Sequence, residues 1–218
     1  MNGEMGEMNF WKVIFLGGPI MVPILLCSFF ALAIIIEKML YFHSIKTNIL
    51  ELKTKIFNLI KTNKIPDAIL LCETANSPIA KILKAGLGKF GSSKEEITQS
   101  IEEVSLFEIP KLESRLGALS TIAQITPLLG LLGTVTGMVI CFHTIEVKSA
   151  ALSPVTIEDL AGGIGQALIT TAAGLIVAIP ALTFYNYYVN RVNHFVLDME
   201  RTATELVNFI CQITGTSN

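Results

Sequence analysis

Acidic and basic side chains are absent from three long stretches of this 218-residue chain: residues 13–36, 116–145 and 160–190 contain no Asp, Glu, Lys or Arg. A helix needs about 20 apolar residues to cross the hydrocarbon core of a bilayer. Each stretch is long enough, so we predict an all-α membrane protein with three transmembrane helices. The first stretch is too long for the core of a secretory signal and lacks a convincing small-residue cleavage site, so we expect it to remain as an anchor.

Signals of catalysis and of metal binding are also missing. The four cysteines have no paired spacing, which argues against a disulfide framework and a zinc site. No phosphate loop, catalytic triad or paired-carboxylate site occurs, and the glycines at 162–165 open an apolar span instead of following a strand. We therefore expect no enzyme, no catalytic residue, no cofactor, no metal and no nucleic-acid partner.

The positive charges favour one orientation. They follow the first span, precede the second and follow the third, whereas the segment between the last two spans has only Lys148 against three acids. Positive charge is enriched on the cytoplasmic side of membrane proteins, so the N-terminus is expected outside. The expected segments are an external tail 1–12, transmembrane helices 13–42, 116–145 and 160–190, a cytoplasmic helical domain 43–115, an external loop 146–159 and a cytoplasmic C-terminal helix 191–218.

The cytoplasmic part is predicted to be helical, with breaks near Asn63, near Pro78 and in the Gly86 to Ser93 stretch. Ser93 followed by a glutamate three residues later is a capping box that starts a helix. Helical spacing continues from there, so we predict one long helix rising into the second span, with a kink at Pro110. A two-helix hairpin from the 50s to about residue 90 is expected to pack beside it and bury Ile56, Ile60, Ile69 and Ile82.

Small and polar residues recur three and four positions apart in the second and third spans. Side chains at this spacing share one face of a helix. The Gly133 to Gly137 pair is a GxxxG match, which favours close helix packing. The face in the second span comprises Ser120, Ala123, Pro127, Gly130, Thr134, Gly137, Cys141 and Thr144, and the face in the third comprises Ala167, Thr171, Gly174, Ala178 and Ala181.

Each face carries one central threonine, and counting from the outer ends predicts that Thr134 and Thr171 lie at one depth. Such a pair would form a polar ring if several copies surrounded an axis. An equally weighted alternative is that each threonine hydroxyl donates a hydrogen bond to a carbonyl of its own helix. Gln166 and Thr170, one turn apart, form a second polar patch in which Gln166 projects away from Thr171, towards a neighbouring subunit.

A proton path through a membrane usually contains an ionisable residue. Within the three spans the candidate is His143, which lies near the outer end of the second and is interpreted as an interfacial residue. If the protein helps protons to cross, the titrating group should therefore come from another chain.

The strings TPLLGLLGTVTGM at 126–138 and QALITTAAGLIVAIPALTFYN at 166–186 resemble the ExbB/TolQ/MotA family of proton-channel and motor stator proteins, most closely its ExbB/TolQ branch. GGPIMVPILL at 17–26 with IIIEKMLYF at 34–42 is similar to the first span of that branch. The resemblance implies a homopentamer in a bacterial inner membrane, with a periplasmic N-terminus. Its pore would hold the helices of two single-span ExbD/TolR-type partners, each carrying an intramembrane aspartate, and a TonB-like or TolA-like protein would receive the work.

The resemblance also implies roles for individual residues. Thr134 and Thr171 match the pore threonines of the family, and the glycines around them would form a smooth pore wall: Gly130, Gly133, Gly137 and Gly174. Gln166 stands where well-known members have Glu, which puts any role of that position in the proton path in doubt. The implied function is to use the proton motive force to energise envelope processes such as TonB-dependent transport.

Three other interpretations stay open on the sequence. The chain could be a non-conducting scaffold for a partner complex, or it could serve a TolQ-like role in envelope maintenance. A self-sufficient solute transporter is disfavoured, since no inverted repeat or charged binding site is present.

Overall fold

The computed structural model of the protein describes residues 16–45, 49–75 and 77–215. Within that part of the chain the regular structure is α-helical, without strands. The predicted tail 1–12 and the start of the first predicted span lie outside the described residues. In chain order the helices are α1 Met21–Ser44, α2 Ile49–Lys61, α3 Ile65–Thr74, α4 Pro78–Leu87, α5 Lys94–Glu113, α6 Leu116–Ala150 and α7 Ile157–Thr214.

Three runs are long and apolar enough to cross a membrane: α1, the run Lys94–Ala150 that ends with α6, and α7. In the most apolar stretch of each run, only 22–28% of the residues are buried within the chain. Phe29 of α1 and Ile176 of α7, for example, are 68% and 71% exposed. Surfaces of this kind are covered by lipid or by other membrane helices, so the prediction of an all-helical membrane protein is confirmed.

The chain divides into two compact units. The span unit comprises the described residues up to Ile36 together with Arg115–Asn186, and the helical unit comprises Glu37–Ser114 with the described residues from Tyr187 onwards. Helix α7 runs without a break through Pro180 and supplies residues to both units. The helical continuation predicted beyond the third span is therefore present.

The helical unit contains three short helices where we predicted a two-helix hairpin. Helix α2 ends before Asn63, whose φ of 57° turns the chain, and α4 begins at Pro78 with the Ser77 hydroxyl accepting a hydrogen bond from the Ala80 amide at 3.2 Å. The two predicted breaks thus separate three elements instead of two. Ile56, Ile60 and Ile82 are buried as predicted, whereas Ile69 is only half-buried and its neighbour Ala68 occupies the core.

The predicted start of α5 is confirmed, but the predicted continuous helix into the second span is wrong. The Ser93 hydroxyl accepts a hydrogen bond from the Glu96 amide at 3.2 Å. The helix then passes through Pro110 and ends at Glu113, and Arg115 adopts a left-handed conformation with φ 63° before α6 starts.

A buried lysine caps the end of α5. Lys38, 2% exposed, donates a hydrogen bond to the Leu112 carbonyl at 2.8 Å, and its ammonium lies 5.4 Å from the centre of the Tyr41 ring. The last carbonyls of a helix have no partner within the helix and need an outside donor. The Lys38 ammonium supplies that donor where α5 stops.

Glu108 is a buried carboxylate of α5. Desolvation would raise its pKa, but hydrogen bonds from the ammonium groups of Lys111 and Lys81, at 2.5 and 2.8 Å, outweigh that effect and hold the pKa below the ordinary value. Its apolar neighbours at helical spacing, Ile101 and Leu112, are buried beside it. The buried face of this helix therefore includes a carboxylate held in ion pairs.

Candidate functional site at the contact between helices α6 and α7

Helices α6 and α7 of the span unit approach each other backbone to backbone. A Cβ atom on Gly130 would lie 3.0 Å from the Cα of Thr171, and one on Gly137 would lie 2.5 Å from the Gly163 carbonyl oxygen. A Cβ atom on Gly174 would lie 2.8 Å from the Thr126 carbonyl oxygen. The close packing predicted from the glycine spacing is thus present.

The glycines predicted as pore wall lie within this contact. Gly130, Gly133 and Gly137 are buried between the helices of one chain, and a side chain at Gly133 would collide with Thr170. Their effect in the described chain is to set the distance between α6 and α7.

Thr171 lies where the two helices meet and is partly exposed. Its hydroxyl is 3.1 Å from the carbonyl of Ala167 in its own helix and 3.1 Å from the carbonyl of Gly130 in α6. One hydroxyl proton serves two acceptors, so the donor can swing between helices while its lone pairs remain available. Thr171 is thereby the threonine of the predicted pair that bridges α6 and α7.

Thr134 behaves differently. Its hydroxyl donates to the Leu131 carbonyl of its own helix at 2.6 Å, as the back-bonding alternative predicted. The carbonyls that Thr171 and Thr134 bond to belong to the consecutive α6 residues Gly130 and Leu131, about 1.5 Å apart along the helix axis. The two hydroxyls therefore lie at nearly the same depth, in agreement with the count from the span ends.

The predicted second polar patch divides into two separate contacts. Thr170 is fully buried, faces Gly133 and donates to the carbonyls of Gln166 and Ala167 at 3.0 Å each. The Gln166 side chain instead lies over Gly18, which has a φ of 67° and no room for a side chain beneath the amide. Gln166 therefore packs on the segment that precedes α1.

Sequence reasoning missed a further hydroxyl in this contact. Thr126 is fully buried and donates to the Ile122 carbonyl at 2.6 Å. Its own carbonyl faces Gly174 of α7. The sequence spacing placed Pro127 on the small-residue face and Thr126, one residue earlier, outside it. The spacing therefore gave no sign that Thr126 is buried.

An ion pair joins the last turn of α6 to the first turn of α7. Lys148 pairs with Asp159 at 2.5 Å, and the Thr156 amide and hydroxyl donate to the same carboxylate at 2.8 and 2.7 Å. The hydrogen bonds from Lys148 and Thr156 lower the pKa of Asp159 to about 2. His143 is exposed, and the described residues contain no cluster of His, Cys, Asp or Glu suited to a metal ion.

Among the described residues, the packed faces of α6 and α7 therefore offer hydroxyls and carbonyls and contain no Asp, Glu, Lys, Arg or His. Such a surface can donate hydrogen bonds to a polar group and accept hydrogen bonds from it.

The chain is similar to known membrane proteins. The MotA/TolQ/ExbB proton channel family matches residues 74–201, which is more than half of the chain. The ExbB-like 3 protein of Synechocystis is 32% identical over 188 residues, covering 85% of this chain and 88% of its own length.

Two further relatives match shorter parts of the chain. The biopolymer transport protein ExbB of Xanthomonas campestris is 36% identical over 112 residues, covering 51% of this chain and 42% of the relative. The Tol-Pal system protein TolQ of Haemophilus influenzae is 43% identical over 86 residues, covering 39% and 36%. Together with the family match, these similarities establish that the chain belongs to the MotA/TolQ/ExbB proton channel family, in its ExbB/TolQ branch.

Proposed function

We propose that this protein is the stationary, pore-forming subunit of a proton-driven complex in a bacterial inner membrane. The observation that carries the proposal is the Thr171 hydroxyl, held at 3.1 Å from carbonyls of both α6 and α7 in a region without charged residues. This group can hydrogen-bond to a passing carboxyl while remaining neutral. Thr134 adds a second hydroxyl at nearly the same depth, bonded to the carbonyl of the adjacent residue Leu131.

The proton carrier in this proposal belongs to a partner. Five copies of the chain would surround the helices of ExbD/TolR-type subunits, each with one intramembrane aspartate. Protonation neutralises that aspartate and removes most of the cost of moving it past an apolar wall. The N-terminus would be periplasmic and the C-terminus cytoplasmic, so that the partner's periplasmic part delivers the work to the envelope.

Gln166 has no place in the proton route of this proposal. Its amide does not titrate, and it lies over Gly18 instead of beside Thr171. A neutral side chain at this position agrees with a wall whose charge does not change during transport.

The complex would energise an envelope process such as TonB-dependent transport. Relatives named ExbB favour this role, and the match to a TolQ protein keeps a TolQ-like role in envelope maintenance as the alternative. Sequencing the neighbouring reading frames separates the two, because a TonB-like neighbour favours uptake and a TolA-like neighbour favours maintenance.

A reconstitution experiment tests the proposal against a non-conducting scaffold. Proton uptake is measured with a pH-sensitive dye in vesicles that contain the chain alone, the chain with its single-span partner, or the chain with a partner whose aspartate is changed to Asn. We expect proton uptake only with the unaltered partner. Equal proton uptake in all three samples, or none in a correctly assembled complex, would overturn the proposal.

A further inference from the structure

A basic pocket opens on the surface of the helical unit. It has a volume of about 410 Å³ and lies between the end of α4 and the middle of α5. Lys81, Lys84 and Lys89 line it, with Ser100 and Val104 on the α5 side. Lys111 lies seven residues after Val104 and so continues the same face of α5.

Positive charge is in excess on this basic pocket. Lys81 pairs with Glu108 and Lys84 pairs with Glu73, both at 2.8 Å, while Lys89 has no ion pair with any described residue. These four lysines face two carboxylates. The Lys81 and Lys84 side chains are 47% and 48% exposed and each ammonium carries three donors, so the paired lysines can also bind an additional oxygen.

The pocket begins close to a belt of aromatic residues in the same unit. Phe42 stacks on Tyr188 at 5.8 Å between ring centres, and Tyr187 packs against Tyr188 at 5.4 Å. Tyr residues gather at the boundary between membrane and water. Lys38, one turn before Phe42 on α1, contacts the Leu112 carbonyl, which places the end of α5 beside this belt.

The basic pocket begins about one helical turn before the C-terminal end of α5. Glu108 precedes Leu112 by four residues, roughly 6 Å along the helix, and its carboxylate forms an ion pair with Lys81, which lines the pocket. Phe107, 72% exposed, adds an unpaired aromatic ring to the same part of α5. Lysines next to an exposed aromatic ring are typical of surfaces that contact the headgroup region.

We propose that this pocket binds the phosphate of an anionic phospholipid in the leaflet next to the aromatic belt. The lysine ammonium groups neutralise the headgroup, the Ser100 hydroxyl lies within the lining, and Phe107 contacts the acyl boundary. This ligand site is independent of the hydroxyls that accompany the proton.

The test uses the full-length protein in a nonionic detergent, titrated with dioctanoyl phosphatidylglycerol and read out by native mass spectrometry. Lys84→Gln/Lys89→Gln is compared with Lys55→Gln/Lys64→Gln, which removes the same charge from exposed lysines outside the pocket. We expect the pocket pair to lower affinity about twenty-five-fold, because each lysine near an anionic headgroup contributes about fivefold. The control pair should change it less than twofold.

Further arms identify the ligand. Dioctanoyl phosphatidylcholine should bind weakly, and millimolar inorganic phosphate should not displace phosphatidylglycerol. Lys89→Gln alone breaks no ion pair, so its loss of affinity cannot come from disturbed folding. Equal losses in both double variants, equal binding of the two lipids, or full displacement by inorganic phosphate would each overturn the assignment to an anionic lipid.

Discussion

Gly137→Ala tests the backbone contact between α6 and α7 most severely. The new methyl carbon would lie 2.5 Å from the Gly163 carbonyl oxygen, and this neighbour is backbone that cannot rotate away. Because contacts below 3.0 Å are essentially never seen for Cβ atoms, the two helices must separate by roughly 0.5 Å. The same shift lengthens the 3.1 Å contact between Thr171 and Gly130 beyond hydrogen-bond range.

The expected cost can be isolated with a matched variant. Overpacking of this kind costs about 2 kcal/mol. Replacing Gly by Ala in a helix also stabilises the helix by about 1 kcal/mol. The reference variant is therefore Gly162→Ala, in which the new methyl group would have no neighbouring atom within 4 Å. The difference between the two variants should then approach 2 kcal/mol, since the helix gain cancels.

The free energy of unfolding of both proteins can be measured by denaturant titration in mixed micelles. Gly162→Ala should be as stable as the wild type or slightly more stable, and Gly137→Ala should be clearly less stable. If Gly137→Ala equals or exceeds Gly162→Ala in stability, the backbone contact described for these helices is incorrect.

Three further predictions concern other parts of the chain. Lys38→Met should lower the free energy of unfolding by about 1–3 kcal/mol because it leaves the Leu112 carbonyl without its buried donor, and Lys38→Arg should restore part of this in the same titration. The Asp159 carboxylate has a pKa lowered to about 2. Its contacts therefore stabilise the fold above the unfolded pKa of about 3.9, and this stabilisation is lost as the pH falls through about 2. The unfolding temperatures of wild type and Asp159→Asn should differ by a constant amount above about pH 5 and converge in acid. Burial raises the pKa of the Cys72 thiol to about 11, so a maleimide should fail to label it at neutral pH until the protein is unfolded, and rapid labelling of the folded protein would contradict its burial.

Much of the architecture could be predicted from the sequence because the membrane imposes simple rules. Stretches without charge identify the three apolar helices, and local signals such as Asn63 and the Ser93 cap mark helix ends correctly. Each of these features depends on neighbours within a few residues. Sequence patterns capture such local physics well.

The errors arose where distant contacts decide the structure. Helix α5 ends at Glu113 rather than kinking at Pro110, and Lys38, 74 residues from Leu112, supplies the donor for its last turn. In the hairpin region the core takes Ala68 instead of Ile69, a one-residue difference in register.

The composition of the candidate site and the common depth of its two hydroxyls could be predicted, but their contacts could not. Counting residues from the span ends placed Thr134 and Thr171 level, and their hydroxyls bond to the adjacent carbonyls of Leu131 and Gly130. The bond from Thr171 across to α6 depends on the glycine contact that brings its backbone beside Gly130. The buried hydroxyl of Thr126 escaped prediction because its position depends on how α7 packs against α6.

The most direct test of the central claim, that a hydroxyl on the wall accompanies a proton carried by the partner, is proton flux in Thr171→Val and Thr171→Ser complexes. Both substitutions keep a side chain that fits beside Gly130, but only Ser keeps the hydroxyl. We predict that Val lowers flux about tenfold, since a lost hydrogen bond costs about 1–3 kcal/mol, and that Ser retains most of it. Wild-type flux in an assembled Thr171→Val complex would contradict the account.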